Sequence, residues 1–463
     1  MATNVQHPHL APTLESAGGT AKGHQSVPSN STATTVNGSF VPFKLEANDT
    51  TTPPSAADTD TDDAELPEPR QLLERIPTVL QPSIPWRKRL MHFTFAWYTV
   101  TLSTSGVSLV LAITPHRFRG LSTIGLVIFL LDLLFFLIIT TAITLRFVLY
   151  KSTFRRAFTR PHEALFVPTF FLSIAAILCN VAEYARIDNP RASLTSFATF
   201  LCVAFWFFSG LTFLASVIQY HLLFTVKTER RLSLTTITPA WVLPIFPVML
   251  IGTLAGSFSR TQSPSAAIGM ICAGLAAQGL GLLVSFFFFS SYLSRLMAFG
   301  LPAQRAGMFI AVGPPSFTGA AVISMASDIP RVFAQLDSSR IAILTGAMTN
   351  TDTLAAGVRL GAIWLGVFLW GLGFWFFVSA VAGCVAGMQD KRFHLSWWST
   401  VFPNVGFTIA SIKIGAGLGS EGVLWMGSGM TVALVLAWAF IGYRCVRAVV
   451  KREIVWPGHD EDS

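Results

Sequence analysis

The sequence predicts an all-α membrane protein: ten transmembrane helices as five helical hairpins, with kinked inner helices around a central pore and straight outer helices against lipid. Of the 463 residues, 52% are hydrophobic and only 12% are charged, whereas soluble domains carry about 25% charged residues. Ten apolar runs reach the length of about 20 residues that a membrane-spanning helix needs. Proline occurs in alternate runs, which separates two kinds of helix.

The ten apolar runs set the topology. They cover residues 93–113, 121–146, 164–184, 194–222, 238–258, 266–291, 306–327, 357–387, 396–416 and 423–447. An even number of crossings places both ends of the chain on the same side of the membrane. Near the spans, that side carries 19 Lys and Arg residues and the opposite side carries eight. Because cytoplasmic loops are enriched in Lys and Arg, we expect both termini in the cytosol.

Prolines distinguish the odd-numbered runs from the even-numbered ones. Runs three, five, seven and nine contain them, and the interiors of the even-numbered runs contain none. Run one lacks proline but has hydroxyl side chains in close succession, from Thr99 to Ser105. Proline removes a backbone donor and bends a helix, and in lipid the freed carbonyls need protein or water partners. We therefore expect each hairpin to pair one inner, odd-numbered helix beside an aqueous path with one outer, even-numbered helix at the lipid rim.

The charge distribution predicts three segments. Residues 1–80 hold 10 acidic and 4 basic residues and few aromatic ones. Such a composition buries too little apolar surface to offset the entropy of ordering, so we expect a disordered acidic tail in the cytosol. Residues 81–450 form the predicted transmembrane domain, and residues 451–463 form a short cytosolic C-terminal tail.

Several function classes are excluded by missing motifs. The chain has no phosphate-binding loop, no H-E-x-x-H, no dinucleotide fingerprint, and no Cys/His spacing typical of a metal site. We expect no enzyme, no cofactor, no bound metal and no nucleic-acid partner.

Ionisable residues in or beside the apolar runs are few. Asp132 lies within the second run, where a charge costs roughly 2.5–3.5 kcal/mol. It is either a proton-handling or ion-pairing carboxylate or, alternatively, an acid that is protonated or bonded to a neighbouring helix. Arg117 follows run one and Arg305 opens run seven. Each is able to grip a carboxylate with its planar fork or, alternatively, to extend towards lipid headgroups. For Lys413, late in run nine, extension to the headgroups is the favoured interpretation. A path poor in acids and flanked by Arg favours anions over cations.

Four strings carry a family resemblance. They are Thr238-Pro-Ala-Trp-Val-Leu-Pro-Ile-Phe-Pro247, Gly307-Met-Phe-Ile-Ala-Val-Gly-Pro-Pro-Ser-Phe317, Phe402-Pro-Asn-Val-Gly-Phe407 and the C-terminal Trp456-Pro-Gly-His-Asp-Glu-Asp462. Together with Arg117-Phe-x-Gly-Leu121, they resemble the fungal malate permeases of the tellurite-resistance/dicarboxylate transporter family. That family, part of the voltage-dependent anion channel superfamily, also contains plant slow anion channels and fungal sulfite-efflux pumps. The resemblance covers about residues 85–463.

The resemblance implies a fold and a function. The family fold is five hairpins around a pseudo-five-fold central pore, commonly in a homotrimer, and a phenylalanine of span nine closes the pore of channel relatives. Phe402 occupies that position here. The permease branch moves malate, succinate and fumarate across the plasma membrane, coupled to protons.

We therefore expect a C4-dicarboxylate transporter whose substrates are dicarboxylate anions and protons. Arg117 or Arg305 would hold the anion, the hydroxyls of Ser103, Thr104 and Ser105 would replace its hydration water, and Phe402 would gate its passage. Sulfite or other inorganic anion efflux is the alternative on the same fold, and a gated anion channel is a third interpretation.

Overall fold

The structure is a computed structural model that describes residues 85–188, 195–227, 231–336, 339, 350–387 and 392–455. The predicted acidic tail, residues 1–80, lies outside these ranges, as do residues 456–463 of the predicted C-terminal tail. Within these ranges every regular element is helical.

Ten helices of 13 residues or more make up the described part of the chain. We number them α1 to α10; they are Tyr98–Ile113, Leu121–Leu149, Pro168–Asp188, Thr195–Phe224, Phe246–Phe258, Pro264–Phe299, Gly313–Ala326, Thr351–Val385, Phe402–Leu418 and Glu421–Val450. Each coincides with one predicted run. The largest differences in extent are at α6, which continues eight residues beyond its run, to Phe299, and at α5, which begins eight residues after the start of its run, at Phe246.

Nine segments of the described residues are long and apolar enough to cross a membrane. The segment that does not qualify holds α5, whose 13 residues span roughly 20 Å against a hydrocarbon core of about 30 Å. A short 3₁₀ helix, Pro239–Val242, precedes α5. The all-α membrane fold is confirmed, whereas the count of ten crossings stays a prediction.

The odd-numbered helices form a closed inner ring. α1 contacts α3, α3 contacts α5, α5 contacts α7, α7 contacts α9, and α9 contacts α1. In the four odd-numbered segments that qualify as spans, 61–89% of the most apolar stretch is buried, against 22–33% in the five even-numbered ones. The sequence therefore correctly separated inner from outer helices.

Each even-numbered helix packs over the contact between two neighbouring inner helices. α2 packs on α1 and α3, α4 on α3 and α5, α6 on α5 and α7, α8 on α7 and α9, and α10 on α9 and α1. Small residues allow the close approach: a Cβ at Gly274 of α6 would collide with the Cβ of Ala255 on α5. The outer faces expose large apolar side chains such as Phe207 and Phe287, as expected of a surface solvated by lipid.

The prolines lie where the inner segments change from a short turn to an α-helix. Pro168 begins α3, Pro247 and Pro403 are the second residues of α5 and α9, and Pro314 and Pro315 follow Gly313 in α7. Since the first turn of a helix has no intrahelical partner for its N–H groups, proline costs no hydrogen bond there. Each proline therefore marks a junction near the start of the inner segment rather than a kink in its middle.

Candidate functional site

A cavity lies where the C-terminal halves of the five inner helices converge. Its lining includes Leu109 of α1, Glu183 of α3, Thr253 of α5, Ser324 of α7 and Lys413 of α9, so the ring of helices encloses it. Its volume is about 50 Å³, room for a few water molecules. We call it the central cavity.

The central cavity carries more positive than negative side chains. Arg186, Arg260 and Lys413 line it together with one acid, Glu183. Glu183 forms an ion pair with Arg186 one turn further along α3. Arg260 donates a hydrogen bond of 2.7 Å to the hydroxyl of Ser327. Among the described residues Lys413 has neither a hydrogen-bond nor an ion-pair partner, so its ammonium group is available to a bound anion.

The turn that carries Arg260 is held by a second arginine, Arg331. This turn, Ser259–Thr261, follows α5, and Arg331 donates to the carbonyl of Ser259 over 2.9 Å and to that of Gln262 over 3.2 Å. Arg331 is fixed in turn by both carboxylate oxygens of Asp328. Burial, followed by the nearby charge of Arg186, lowers the pKa of the Arg260 guanidinium from its usual value. An arginine stays charged at physiological pH even so.

Three phenylalanine rings pack together on the N-terminal side of the cavity. Phe246 begins α5, Phe402 begins α9, and Phe317 of α7 also lines the cavity. The ring centroids of Phe317 and Phe402 are 5.1 Å apart, those of Phe246 and Phe402 5.6 Å, and those of Phe246 and Phe317 5.8 Å. We call these residues the Phe triad; all three rings are buried, and Phe317 brings the triad to the wall of the cavity.

Glycines make room for the triad. A Cβ at Gly406 would lie 2.6 Å from the ring of Phe317, and a Cβ at Gly313 would lie 2.8 Å from the ring of Phe246. These separations are too short for a side chain, so both positions need glycine for the rings to pack as they do.

Arg117 and Arg305 do not line the central cavity. The exposed Arg117 donates to the carbonyls of Ala112 and Thr114 at the C-terminal end of α1. Arg305 opens the 3₁₀ helix before α7 and donates over 2.9 Å to the carbonyl of Gly383 in α8. The two lie at opposite ends of inner segments, as the sequence predicted, and their side chains bind carbonyls of the protein.

The hydroxyl run of α1 is buried but faces neighbouring helices. Ser103 donates to the carbonyl of Trp398 over 3.3 Å, Thr104 accepts from the indole of Trp438 over 3.0 Å, and Ser105 accepts from Asn180 over 2.9 Å. None of these three side chains lines the central cavity, and each takes part in a hydrogen bond to a neighbouring segment.

Asp132 is fully buried on α2, away from the central cavity. Lys413, in contrast, points into that cavity, so its interpretation as a headgroup-seeking lysine is wrong. Phe246 and Phe317 were not predicted as partners of Phe402. The repeated Phe-Pro pair at 246–247 and 402–403 is the sequence signal that could have linked two of the three.

A closed ring of apolar helices around a cavity with an excess of cations is the architecture of an anion channel or transporter. A family model described as voltage-dependent anion channel (SLAC1) matches residues 92–446. The chain belongs to this family, which confirms the predicted resemblance.

Two curated relatives from Schizosaccharomyces pombe are similar along most of the chain. The malic acid transport protein is 32% identical over 390 residues, covering 83% of this chain and 85% of that protein. A putative malic acid transport protein is 31% identical over 386 residues, covering 82% and 85%. The sulfite efflux pump SSU1 of Trichophyton rubrum is 24% identical over 366 residues, covering 76% and 89%. Family and relatives indicate a multi-pass membrane transporter or channel for anions.

Proposed function

We propose that the protein transports C4-dicarboxylates, malate foremost, through the ring of inner helices, with coupling to protons and with the Phe triad as the gate. One observation carries the proposal: Arg186, Arg260 and Lys413, from three different inner segments, meet in a cavity directly beside the triad. The names of the two S. pombe relatives support malate as the substrate.

The charges of the cavity fit a small dianion. Three cationic side chains and one carboxylate leave an excess of two positive charges, which matches the two carboxylates of malate at neutral pH. The guanidinium of Arg260 is able to bind one carboxylate through two hydrogen bonds, and the unpaired ammonium of Lys413 provides a second point charge. These groups replace part of the hydration shell that the anion loses.

The Phe triad provides the barrier. Its rings fill the space beside the cavity with apolar surface, and an apolar constriction excludes ions by size and by loss of water. The small cavity volume corresponds to a closed form, so passage of malate requires the rings to separate. Rotation of Phe402 about its side-chain bonds is the smallest change that does this.

The predicted placement in the cell belongs to the same proposal. We place the protein in the plasma membrane, with both termini in the cytosol because Lys and Arg are concentrated on that side. The homotrimer follows from the family resemblance. Arg117 and Arg305, at opposite ends of inner segments, attract the anion to the two mouths, while binding within the passage falls to the central cavity.

Uptake of radiolabelled malate by the purified full-length protein in liposomes tests the proposal. We expect saturable uptake that an inward proton gradient increases and that unlabelled succinate and fumarate inhibit. Protein-free liposomes and liposomes with an unrelated membrane protein are the controls. Malate uptake no faster than in these controls would refute dicarboxylate transport.

Sulfite efflux is the second candidate, favoured by the similarity to SSU1. In yeast cells that express the protein, increased sulfite tolerance without malate uptake would favour it. Currents that persist without a proton gradient would instead favour a gated anion channel.

A further inference from the structure

Asp132 is a buried carboxylate without a bonded partner. It is 0% exposed, and among the described residues neither of its oxygens has a hydrogen-bond partner. Leaving a carboxylate ion in this condition inside a protein is costly. A bound proton or a nearby cation would therefore stabilise the Asp132 carboxyl group.

Asn180 of α3 is bonded to Ser105 of α1, and this pair also contains a polar atom without a hydrogen-bond partner among the described residues. The Asn180 amide nitrogen donates over 2.9 Å to the Ser105 carbonyl and over 3.0 Å to the Ala176 carbonyl. Because two carbonyls accept from the nitrogen, the amide oxygen points the other way, where no described residue bonds to it. The Ser105 hydroxyl accepts from the same nitrogen and faces Asp132. Asp132 and Asn180 thus offer only acceptors, and a proton on the carboxylate would supply a donor.

Asp132, Ser105 and Asn180 belong to a row of polar side chains between α1, α2 and α3, which we call the polar seam. Towards the N-terminal ends of α1 and α3, hydroxyl groups continue the seam. Thr101 and Ser173 share a hydrogen bond of 2.6 Å, and Tyr98 and Thr140 share one of 3.0 Å. Thr140 lies eight residues after Asp132 on α2, which is about two helical turns. The seam therefore reaches from the middle of the bundle towards the side on which α1 and α3 begin.

Towards the C-terminal ends, the seam continues through Ser108 and Tyr184. Ser108 donates over 2.9 Å to the carbonyl of Gly125 and exchanges hydrogen bonds of 3.1 Å with Tyr184. Tyr98, Thr101, Ser105 and Ser108 are spaced three, four and three residues apart, so they lie on one face of α1. Successive groups are about 4.5–6 Å apart along the axis, a gap that one water molecule is able to bridge.

We propose that this seam between α1, α2 and α3 is a proton path separate from the central cavity, and that Asp132 is the group that binds and releases the proton. The step is an acid–base exchange: the carboxylate takes a proton from one end of the seam to become a carboxylic acid, then releases it to the other end. The acid donates its O–H to an acceptor such as the amide oxygen of Asn180. This inference rests on the proton coupling in the proposed function and assigns it to a site.

No charged neighbour among the described residues competes for this role. The elements packed against α2 are α1, α3 and the short helices Trp86–Leu90 and Lys151–Thr159. Their titratable or charged side chains are Tyr98, Cys179, Glu183, Tyr184, Arg186, Arg87, Lys88, Arg89, Lys151, Arg155 and Arg156. On α2 itself the other charged side chain is Arg146, which is paired with Glu163. None of them is hydrogen-bonded to the Asp132 carboxylate.

Transport by Asp132→Asn tests the proposal, because the amide imitates the protonated acid but cannot exchange the proton. In liposomes with the membrane potential held at zero by potassium and valinomycin, one coupled proton supports an about tenfold malate accumulation per pH unit. We expect this accumulation in the wild type and in Asp132→Glu. In Asp132→Asn we expect malate to reach equal concentrations inside and outside, while labelled malate still exchanges for unlabelled malate.

Ser285→Ala is the matched control. Ser285 is a fully buried polar residue of another outer helix, α6, and within the described part of the chain its hydroxyl bonds only the Gly281 carbonyl of its own helix. We expect this variant to accumulate malate as the wild type does. Proton-driven accumulation that survives in Asp132→Asn, or accumulation that follows a sodium gradient instead, would overturn the proposal.

A measurement without malate separates failure of this inference from failure of the proposed function. Infrared difference spectra of the full-length protein between acidic and alkaline pH should contain the C=O stretching band of a buried carboxylic acid. The band should be absent from Asp132→Asn and present in Ser285→Ala. If malate is not transported but the band behaves in this way, the proposed substrate is wrong and the proton site stands. If wild type and Asp132→Asn give the same spectra, Asp132 does not exchange a proton and the proposal is wrong.

Discussion

The rings of Phe317 and Phe402 stack with their centroids 5.1 Å apart and their planes inclined by 26°. Phe317 belongs to α7 and Phe402 to α9, so the contact joins two adjacent inner helices beside the central cavity. The ring of Phe246 meets both edge-on. Because each ring is held by the other two, removing one member should loosen the remaining pair.

Truncation of the proposed gate should increase anion flux. In Phe402→Ala we expect faster passive anion movement through liposomes, since each ~1.4 kcal/mol removed from the barrier raises the rate about tenfold. Stopped-flow measurement of anion efflux checks this. Phe376→Ala is the control, because it removes a buried ring that packs on Phe289 between outer helices. Equal fluxes in Phe402→Ala and wild type would show that Phe402 is not the barrier.

Gly406 should tolerate no side chain. In Gly406→Ala the new Cβ would lie 2.6 Å from the ring of Phe317, so the ring must move or the helices must separate, at a cost of about 1–3 kcal/mol. We expect a lower melting temperature and a higher passive anion flux. Gly422→Ala, on α10, is the control because nothing lies within 4 Å of its Cβ position. Wild-type values in both variants would contradict the packing described here.

Neutralising the central cavity should weaken substrate binding. In Lys413→Gln we expect the apparent KM for malate to rise about tenfold, a loss of ~1.4 kcal/mol. Arg260→Gln should have a similar or larger effect, because it removes a group able to bind a carboxylate twice. Initial rates of malate uptake across a concentration series give both values.

Arg359→Gln is the control for these charge changes. Arg359 is an exposed residue near the start of α8 and does not line the central cavity. The Arg359→Gln variant loses one positive charge on the side of the bundle where the central cavity lies. It therefore measures how far the overall surface potential affects the KM. If Lys413→Gln and Arg359→Gln raised the KM equally, the cavity would have no specific role in binding.

The fold was predictable because long apolar runs and alternating prolines depend on local sequence. In lipid, an apolar run such as 121–146 is stable as a helix, because all its backbone groups are then paired. Proline is favoured in the first turn of a helix, so Pro403 predicts that a helix begins there. The shortness of α5 was not predictable, since the apolar run 238–258 continues through the 3₁₀ turn at Pro239 and hides the break.

The site was less predictable because it depends on how each helix is rotated. Phe317 is one of 39 phenylalanines, and only the packing of α7 against α9 places it beside Phe402. Lys413 stands near a helix end, where a lysine ordinarily extends to headgroups. The hydroxyl groups of α1 were correctly placed inside the bundle, but the sequence did not reveal that Asn180 and Trp438 occupy them.

The buried pair of Arg146 and Glu163 should stabilise the N-terminal side of the bundle. The guanidinium of Arg146 donates to both carboxylate oxygens, over 2.5 and 3.2 Å, and to the carbonyl of Phe93 over 3.0 Å. Their side chains are only 5% and 4% exposed. Removal of one partner leaves a buried charge uncompensated, so Glu163→Gln should cost roughly 3–5 kcal/mol.

The melting temperature of the purified protein in detergent measures this cost. We expect a clear decrease in Glu163→Gln and recovery of most of it in Arg146→Met combined with Glu163→Gln, because the second change removes the isolated charge. Arg155→Gln, at an exposed position of the Lys151–Thr159 helix, should melt as the wild type does. If Glu163→Gln melted at the wild-type temperature, the pair would contribute nothing to stability and the link from α2 to the segment before α3 would rest on apolar packing alone.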